Sequence, residues 1–121
     1  MSATSVRAAN ITKNRVLGDR IVVAETNLSR MIGLLGKSGL EAGEGLLIYP
    51  SQSIHTVAMR FTIDVIFADR DWRVTHLHPR MVPYRMTALH WRARCAIELP
   101  AGMIAETSTS VGDQLSVTEV D

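Results

Sequence analysis

The sequence is short of several features that mark whole classes of proteins. Its single cysteine, Cys95, excludes an internal disulfide and a zinc site built from several cysteines. The surrounding segment RCAIELP is typical of a buried strand, so we expect an inert core thiol. No apolar run approaches the roughly 18 residues that cross a bilayer, and the opening MSATSVRAANITKNRV lacks the apolar centre of a secretory signal. We therefore expect a cytoplasmic protein without a membrane partner.

Familiar motifs of nucleophilic and phosphate-binding enzymes are also missing. The chain has no G-x-S-x-G nucleophile elbow, no zinc signature and no P-loop. The segments PAG and VGD read as turns, because neither has the glycine density or the strand-to-helix setting of a phosphate-binding loop. Without a visible nucleophile, the sequence favours a module that is not an enzyme.

Two histidines have a spacing that suits a metal site. His76 and His78, in the segment THLHP, would project from one face of a strand. No third ligand is evident, because His55 and His90 are distant in the chain. We therefore predict surface or packing roles for the pair, and neither a metal nor a cofactor.

What the sequence does contain is enough for one domain. It has 121 residues, of which 46% are hydrophobic and 21% charged, as in soluble globular proteins with a real core. The net charge of +1 argues against a partner held by overall charge. We predict a single domain over residues 1–121.

Hydrophobic periodicity predicts many strands and few helical segments. The segment TNLSRMIGLLGKSGL repeats apolar residues every three or four positions, which predicts a short helix at about residues 27–36. A single helical turn is predicted at residues 103–106. Short apolar runs bounded by turn residues predict strands at residues 45–49, 54–59, 61–68, 72–78 and 94–99.

The arrangement of these elements predicts the fold class. Gly18 and Asp19 separate two apolar runs in NRVLGDRIVVAET, which predicts the turn of a first hairpin. Only one segment has the length and period of a crossover helix, so a doubly wound fold is disfavoured. We predict an α+β fold that is predominantly antiparallel β, with a curled, barrel-like sheet that the helix plugs or covers.

Two acids interrupt apolar strands. Asp64 lies between Ile63 and Val65 in RFTIDVIF, and Glu98 lies in CAIELPAG. An unpaired buried carboxylate costs several kcal/mol in desolvation, so each acid needs a partner or a pocket. As a pair they could act as general acid and base on a carbohydrate-like substrate. The alternative, which we favour, is that each accepts hydrogen bonds from backbone N–H groups or an arginine and fixes the packing of its strand.

The order of motifs resembles the domain-of-unknown-function-192 family. The segments SRMIGLLG, GLLIYP, MRFTIDVIF, VPYR, AIELPAG and VGDQL follow one another as in that family's pattern, over about residues 10–119. The chain departs from the pattern at Leu35, where methionine is usual, and at Thr62, where proline is common. The resemblance implies a compact, β-rich α+β domain and brings no established activity with it.

The charged residues of these motifs suggest a ligand site. We predict a shallow polar pocket that takes a small anionic or peptide-like ligand, lined by His55, Arg60, Asp64, Arg85 and Glu98. Arg85 follows a proline in VPYR, so its guanidinium should be held rigidly enough to bind one of the two acids through parallel N–H bonds. The chain would then be a ligand-binding or accessory module.

The most asymmetric part of the chain lies between Asp71 and Glu98, which enclose no other acid. Arginine and aromatic residues accumulate there: Arg73, Arg80, Arg85, Arg92 and Arg94 with Trp72, Tyr84 and Trp91. Such a composition could bind single-stranded nucleic acid or an anionic small ligand through charge pairing and stacking. The near-neutral total charge disfavours nucleic acid and favours a solvated arginine-rich face.

Overall fold

Seven strands and one helix form the regular structure of the part described. A computed structural model describes residues 4–24, 39–57 and 59–120. In chain order the elements are β1 (Ser5–Asn10), β2 (Arg15–Ala24), β3 (Glu44–Ile48), β4 (Ile63–Ala68), β5 (Val74–Met81), β6 (Cys95–Pro100), α1 (Met103–Thr107) and β7 (Leu115–Glu119).

These strands form a single curled sheet with the order β5-β4-β6-β3-β2-β1-β7. Neighbours are antiparallel throughout, except that β2 and β3 run parallel. The predicted class, a mostly antiparallel curled sheet with one short helix, is confirmed. The helical turn predicted at residues 103–106 corresponds to α1. The helix predicted at about residues 27–36 lies outside the described residues.

The first hairpin exists, but its turn is not at Gly18 and Asp19. The chain reverses between β1 and β2 at residues 11–14, where Asn14 adopts a φ of 55°. Gly18 instead lies inside β2, where a side-chain Cβ would come within 2.9 Å of the carbonyl oxygen of Gly43. The glycine is therefore needed for a close approach of two backbone segments.

Strand boundaries in the middle of the chain lie within two residues of the predicted ones, except in two places. The described residues of the range 54–59 form no strand, although His55 makes an isolated bridge to Met86. β5 continues to Met81, beyond the predicted end at residue 78 and through Pro79. Proline is tolerated there because β5 is at the edge of the sheet and, among the described strands, pairs only with β4.

Both faces of the central strands are buried. On one face, which we call the helix face, apolar residues of β4 and β6 pack with Ile104 of α1. On the opposite face, which we call the loop face, they pack with Ile54 and Met59 from the segment between β3 and β4. Each large side chain buried in this way contributes roughly 1.5–3 kcal/mol. Continuous burial also explains why β4 reads as an apolar run rather than an alternating strand.

Candidate functional site

Asp64 is fully buried and satisfied by backbone groups. Its Oδ1 accepts hydrogen bonds from the N–H of Arg80 at 2.9 Å and of Gly102 at 3.0 Å. Its Oδ2 accepts a bond from the N–H of Ile104 at 2.7 Å. The carboxylate thus connects β4 to β5 and to the start of α1. Asp64 serves the packing of its strand, as favoured from the sequence.

Glu98 is also fully buried, but it points away from Asp64. Across the β4–β6 pairing, Asp64 lies opposite Leu99 and Val65 lies opposite Glu98. Side chains that face each other across an antiparallel pair share a face of the sheet. Asp64 therefore points to the helix face with Leu99, and Glu98 points to the loop face with Val65. The two acids share no cavity, so the geometry provides no carboxylate pair for glycoside chemistry.

The remaining residues of the predicted polar pocket are exposed. His55, Arg60 and Arg85 all lie at the surface. The guanidinium of Arg85 comes within 3.5 Å of the carbonyl oxygen of Tyr84, and among the described residues it forms no ion pair. The prediction was that Arg85 holds Asp64 or Glu98; Asp64 is not its partner, because backbone N–H groups already occupy both oxygens of that carboxylate. The five predicted residues do not converge on one pocket.

Three histidines come together on the loop face, although sequence spacing indicated only two. The Nε2 atoms of His78 and His90 are 2.9 Å apart, and the ring of His90 stacks on His76 with centroids 3.8 Å apart. Phe67 contacts all three rings edge-on. Burial lowers the pKa of each histidine, and the charge of Arg92 beside His76 and repulsion between the rings lower it further. These effects favour the neutral form of each ring.

The geometry of the histidine pair is that of a hydrogen bond. The ring centroids of His78 and His90 are 5.1 Å apart, close to the largest separation that nitrogens 2.9 Å apart allow. The two nitrogens thus point directly at each other, so one ring donates N–H and the other accepts. A shared metal ion would need both lone pairs to converge on a third point. The described ranges also contain no group of three or more side chains placed to hold a metal.

Asp113 is the centre of a second structural network, which sequence reasoning did not identify. Its Oδ2 accepts hydrogen bonds from Asn10 Nδ2 at 2.9 Å, Lys13 Nζ at 2.8 Å and the N–H of Ser110 at 2.9 Å. Burial acts to raise the pKa of Asp113, but these bonds and the Lys13 charge outweigh it and hold the pKa below its ordinary value. The network fixes the β1–β2 turn against the segment that leads into β7.

A cleft of about 330 Å³ opens where the segment after β3 meets the segment before β6. Its lining is Pro50, Ser51, Gln52, Ala93 and Arg94. Two hydrogen bonds join its walls: the N–H of Ser51 donates to the Arg94 carbonyl at 2.8 Å, and Gln52 Nε2 donates to the Trp91 carbonyl at 3.1 Å. No sequence pattern indicates this cleft, because about 40 residues separate its two walls.

Arg94 is the one charged residue of the cleft lining. Its guanidinium lies over the Tyr49 ring, 5.8 Å from the centroid, and its Nε donates to the Tyr49 hydroxyl at 3.2 Å. Arg94 is exposed, and its two terminal nitrogens make no hydrogen bond or ion pair with any described residue. The fork of the guanidinium is thus held in place by an aromatic ring while its outer N–H groups remain available.

A family model described as "Uncharacterized ACR", that of the domain-of-unknown-function-192 family, matches residues 8–117. The chain belongs to this family. Two archaeal members of the uncharacterised family UPF0127 are similar in sequence. A protein of Thermococcus sibiricus is 32% identical over 111 residues, covering 88% of this chain and 71% of the relative. A protein of Pyrococcus horikoshii is 30% identical over 109 residues, covering 88% of this chain and 94% of the relative.

Two solved structures share the fold of this domain-of-unknown-function-192 chain. A Novosphingobium aromaticivorans protein of unknown function superposes with a TM-score of 0.77 at 23% identity, covering 93% of this chain and 83% of its own. A Sinorhizobium meliloti protein described as a candidate transcription regulator superposes with a TM-score of 0.76 at 21% identity, covering 96% of this chain and 94% of its own. In the described ranges, no helix has the length and hydrophobicity to span a membrane.

Proposed function

We propose that this chain is a binding module whose cleft takes a small anionic ligand with a compact apolar part. The observation that carries the proposal is the position of Arg94 at the cleft, with its outer N–H groups available. A guanidinium binds a carboxylate or phosphate through two parallel N–H bonds. Because Tyr49 fixes the plane of the guanidinium, less side-chain entropy is lost when an anion binds.

The rest of the lining supports a ligand that is only partly charged. Pro50 and Ala93 present apolar surface, whereas Ser51 and Gln52 present polar side chains. Gln52 uses its amide N–H to hold Trp91, which leaves its amide oxygen as an acceptor. The volume of about 330 Å³ is at the small end of ligand sites, which run from roughly 300 to 1,000 Å³. An aromatic carboxylate or a phosphate monoester has the matching size and charge.

Local charge also favours an anion. No aspartate or glutamate occurs between Asp71 and Glu98, so the segment that carries Arg94 contains no acid of its own. Arg92 lies close by in sequence and is also exposed. The positive potential of two neighbouring arginines attracts small anions, and salt weakens that attraction.

The test is an NMR titration of ¹⁵N-labelled protein with benzoate, phenyl phosphate and inorganic phosphate. We expect saturable shifts at the amides of Ser51, Gln52 and Arg94, larger for phenyl phosphate than for phosphate, with a Kd on the order of 1 mM for so small a probe. Arg94→Ala should abolish the shifts. Arg70→Ala, which removes another exposed arginine, is the matched control and should preserve them. Equal binding by both variants, or no saturable shift with any probe, would contradict the proposal.

A further inference from the structure

The segment between β5 and β6 displays the most exposed large apolar side chains of the described part. Trp91 is 78% exposed, Met86 76% and Tyr84 69%. Leu89 adds a fourth, partly exposed apolar side chain. We call the surface formed by Tyr84, Arg85, Met86, Leu89 and Trp91 the docking face. Exposed large apolar side chains gathered on one short segment mark interaction sites more often than scattered ones do.

The docking face is held rigidly by the chain beneath it. The N–H of Tyr84 donates to the carbonyl oxygen of Thr56 at 3.0 Å, and the N–H of Thr87 donates to that of Ile54 at 2.8 Å. The N–H of His90 donates to the carbonyl oxygen of Gln52, also at 2.8 Å. The segment therefore lies along residues 52–56 through backbone hydrogen bonds. A surface ordered in this way before binding loses little conformational entropy when a partner arrives.

Tyr84 is presented in a strained backbone conformation. Its φ is +63°, in the left-handed region that residues with a side chain other than asparagine and aspartate rarely adopt. The strain is not repaid by burial, because the ring is exposed. Strained conformations of this kind concentrate at functional positions. Here the conformation holds an aromatic ring out into solvent beside Arg85.

The composition of the docking face is that of a protein interface. Tyrosine, tryptophan, methionine and arginine are enriched in such interfaces, whereas lysine, aspartate and glutamate are depleted. The docking face contains all four enriched types, and no lysine, aspartate or glutamate occurs anywhere from residue 72 to residue 97. A solvated loop of ordinary composition would carry several of the depleted residues.

Charge decides what kind of protein fits. Arg85 in the docking face and Arg92 next to Trp91 are both exposed, and neither forms an ion pair with a described residue. A second copy of the chain is a poor occupant, because its docking face would carry the same positive charge. We infer that the docking face binds an acidic segment of another protein whose aliphatic or aromatic side chains contact Tyr84, Met86 and Trp91. This inference goes beyond the ligand cleft and does not depend on it.

Fluorescence anisotropy with defined peptides tests the inference. The first probe is a labelled peptide that alternates aspartate or glutamate with leucine and phenylalanine. The second has lysine at every acidic position, and the third is a labelled oligothymidylate of similar net charge. We expect the acidic peptide to bind and the basic peptide not to bind. Added salt should weaken the binding only in part, because apolar contacts remain.

Matched variants locate the binding on the docking face. Trp91→Ala and Met86→Ser should each weaken the acidic peptide about tenfold or more, the loss expected for central anchors. Arg85→Glu should weaken it further by placing like charges together. Ile11→Ser removes an exposed apolar side chain elsewhere, and Arg70→Glu reverses an exposed charge elsewhere; both should leave binding unchanged. Melting curves should be unaltered for all, since each side chain is exposed.

Three results would overturn the inference. The first is that the acidic peptide fails to bind, or binds equally well to Trp91→Ala and Ile11→Ser. The second is that the oligothymidylate binds more tightly and with the same variant dependence, which would assign the surface to single-stranded nucleic acid. The third is concentration-dependent self-association lost in Trp91→Ala, which would assign it to a second copy. The anion titration of Arg94→Ala is read separately, so failure at the cleft is distinguishable from failure here.

Discussion

Replacement of Asp64 by asparagine tests how the buried acid stabilises the fold. The carboxylate accepts three backbone N–H bonds, two at Oδ1 and one at Oδ2. In Asp64→Asn, the amide oxygen can keep the two bonds from Arg80 and Gly102. The amide NH₂ then faces the N–H of Ile104 across 2.7 Å, so two donors meet and the first turn of α1 loses its acceptor.

The size of the effect follows from opposing contributions. A hydrogen bond to a charged group contributes about 1.5–3 kcal/mol, and one such bond is lost outright. The two retained bonds become neutral and therefore weaker. Against this, the folded state no longer has to bury a charge, which returns part of the loss. We expect Asp64→Asn to lower the free energy of unfolding by about 1–3 kcal/mol.

Urea denaturation measures the change, and hydrogen exchange locates it. With an m-value of about 1–3 kcal/mol/M for a small domain, the midpoint should fall by roughly 1 M. The amide of Ile104 should also exchange faster than in the wild type. Asp19→Asn is the matched control, because Asp19 is exposed and its only ion pair in the described part is 3.6 Å long. Equal midpoints for the two variants would refute the assigned role of Asp64.

Two further substitutions test the close backbone approach and the second acid network. Gly18→Ala should destabilise the fold by about 1–3 kcal/mol, because the alanine Cβ would come within 2.9 Å of a backbone carbonyl oxygen. Gly39→Ala is the control, because a Cβ at that position meets no atom within 4 Å. Equal melting temperatures for the two variants would contradict the expectation. The pKa of Asp113 is lower in the folded than in the unfolded chain, so Asp113 takes up a proton first in the unfolded chain as the pH falls. The stabilisation that Asp113 provides is therefore complete above about pH 4 and is lost as the pH falls from there through the folded pKa. Asp113→Asn should therefore be less stable at neutral pH and lose less stability on acidification, as measured by urea denaturation at stepped pH, whereas parallel curves for variant and wild type would show that Asp113 is not the group responsible.

Sequence periodicity predicted the central strands and the helical turn but not the pairing between them. The alternation of side chains along each strand correctly placed Asp64 and Val65 on opposite faces of β4. It also placed Glu98 and Leu99 on opposite faces of β6. Which side of β6 matches which side of β4 depends on their register, and a slip of one residue reverses the answer. No pattern within either strand contains that information. The sequence could therefore predict two buried acids, and could not predict that they point to opposite faces.

Contacts between distant segments explain the other differences. His90 reaches His76 and His78 only because the segment before β6 folds back along residues 52–56. The cleft at Arg94 depends on the same folding back, since one of its walls comes from each segment. The glycine at position 18 did indicate a special backbone requirement, but residue type alone cannot distinguish a turn from a close approach of two backbone segments.

The way Asp64 is satisfied bears on what the surface can do. Had the buried acid taken an arginine, as the motif VPYR suggested, a positive charge would have been drawn into the interior. Backbone N–H groups stabilise the Asp64 carboxylate instead, and these carry no net charge. Arg85 and Arg94 therefore keep their charges at the surface, in a stretch of chain without acids. The surface is thus locally basic although the net charge is only +1, because the acids that offset these arginines lie in other parts of the chain.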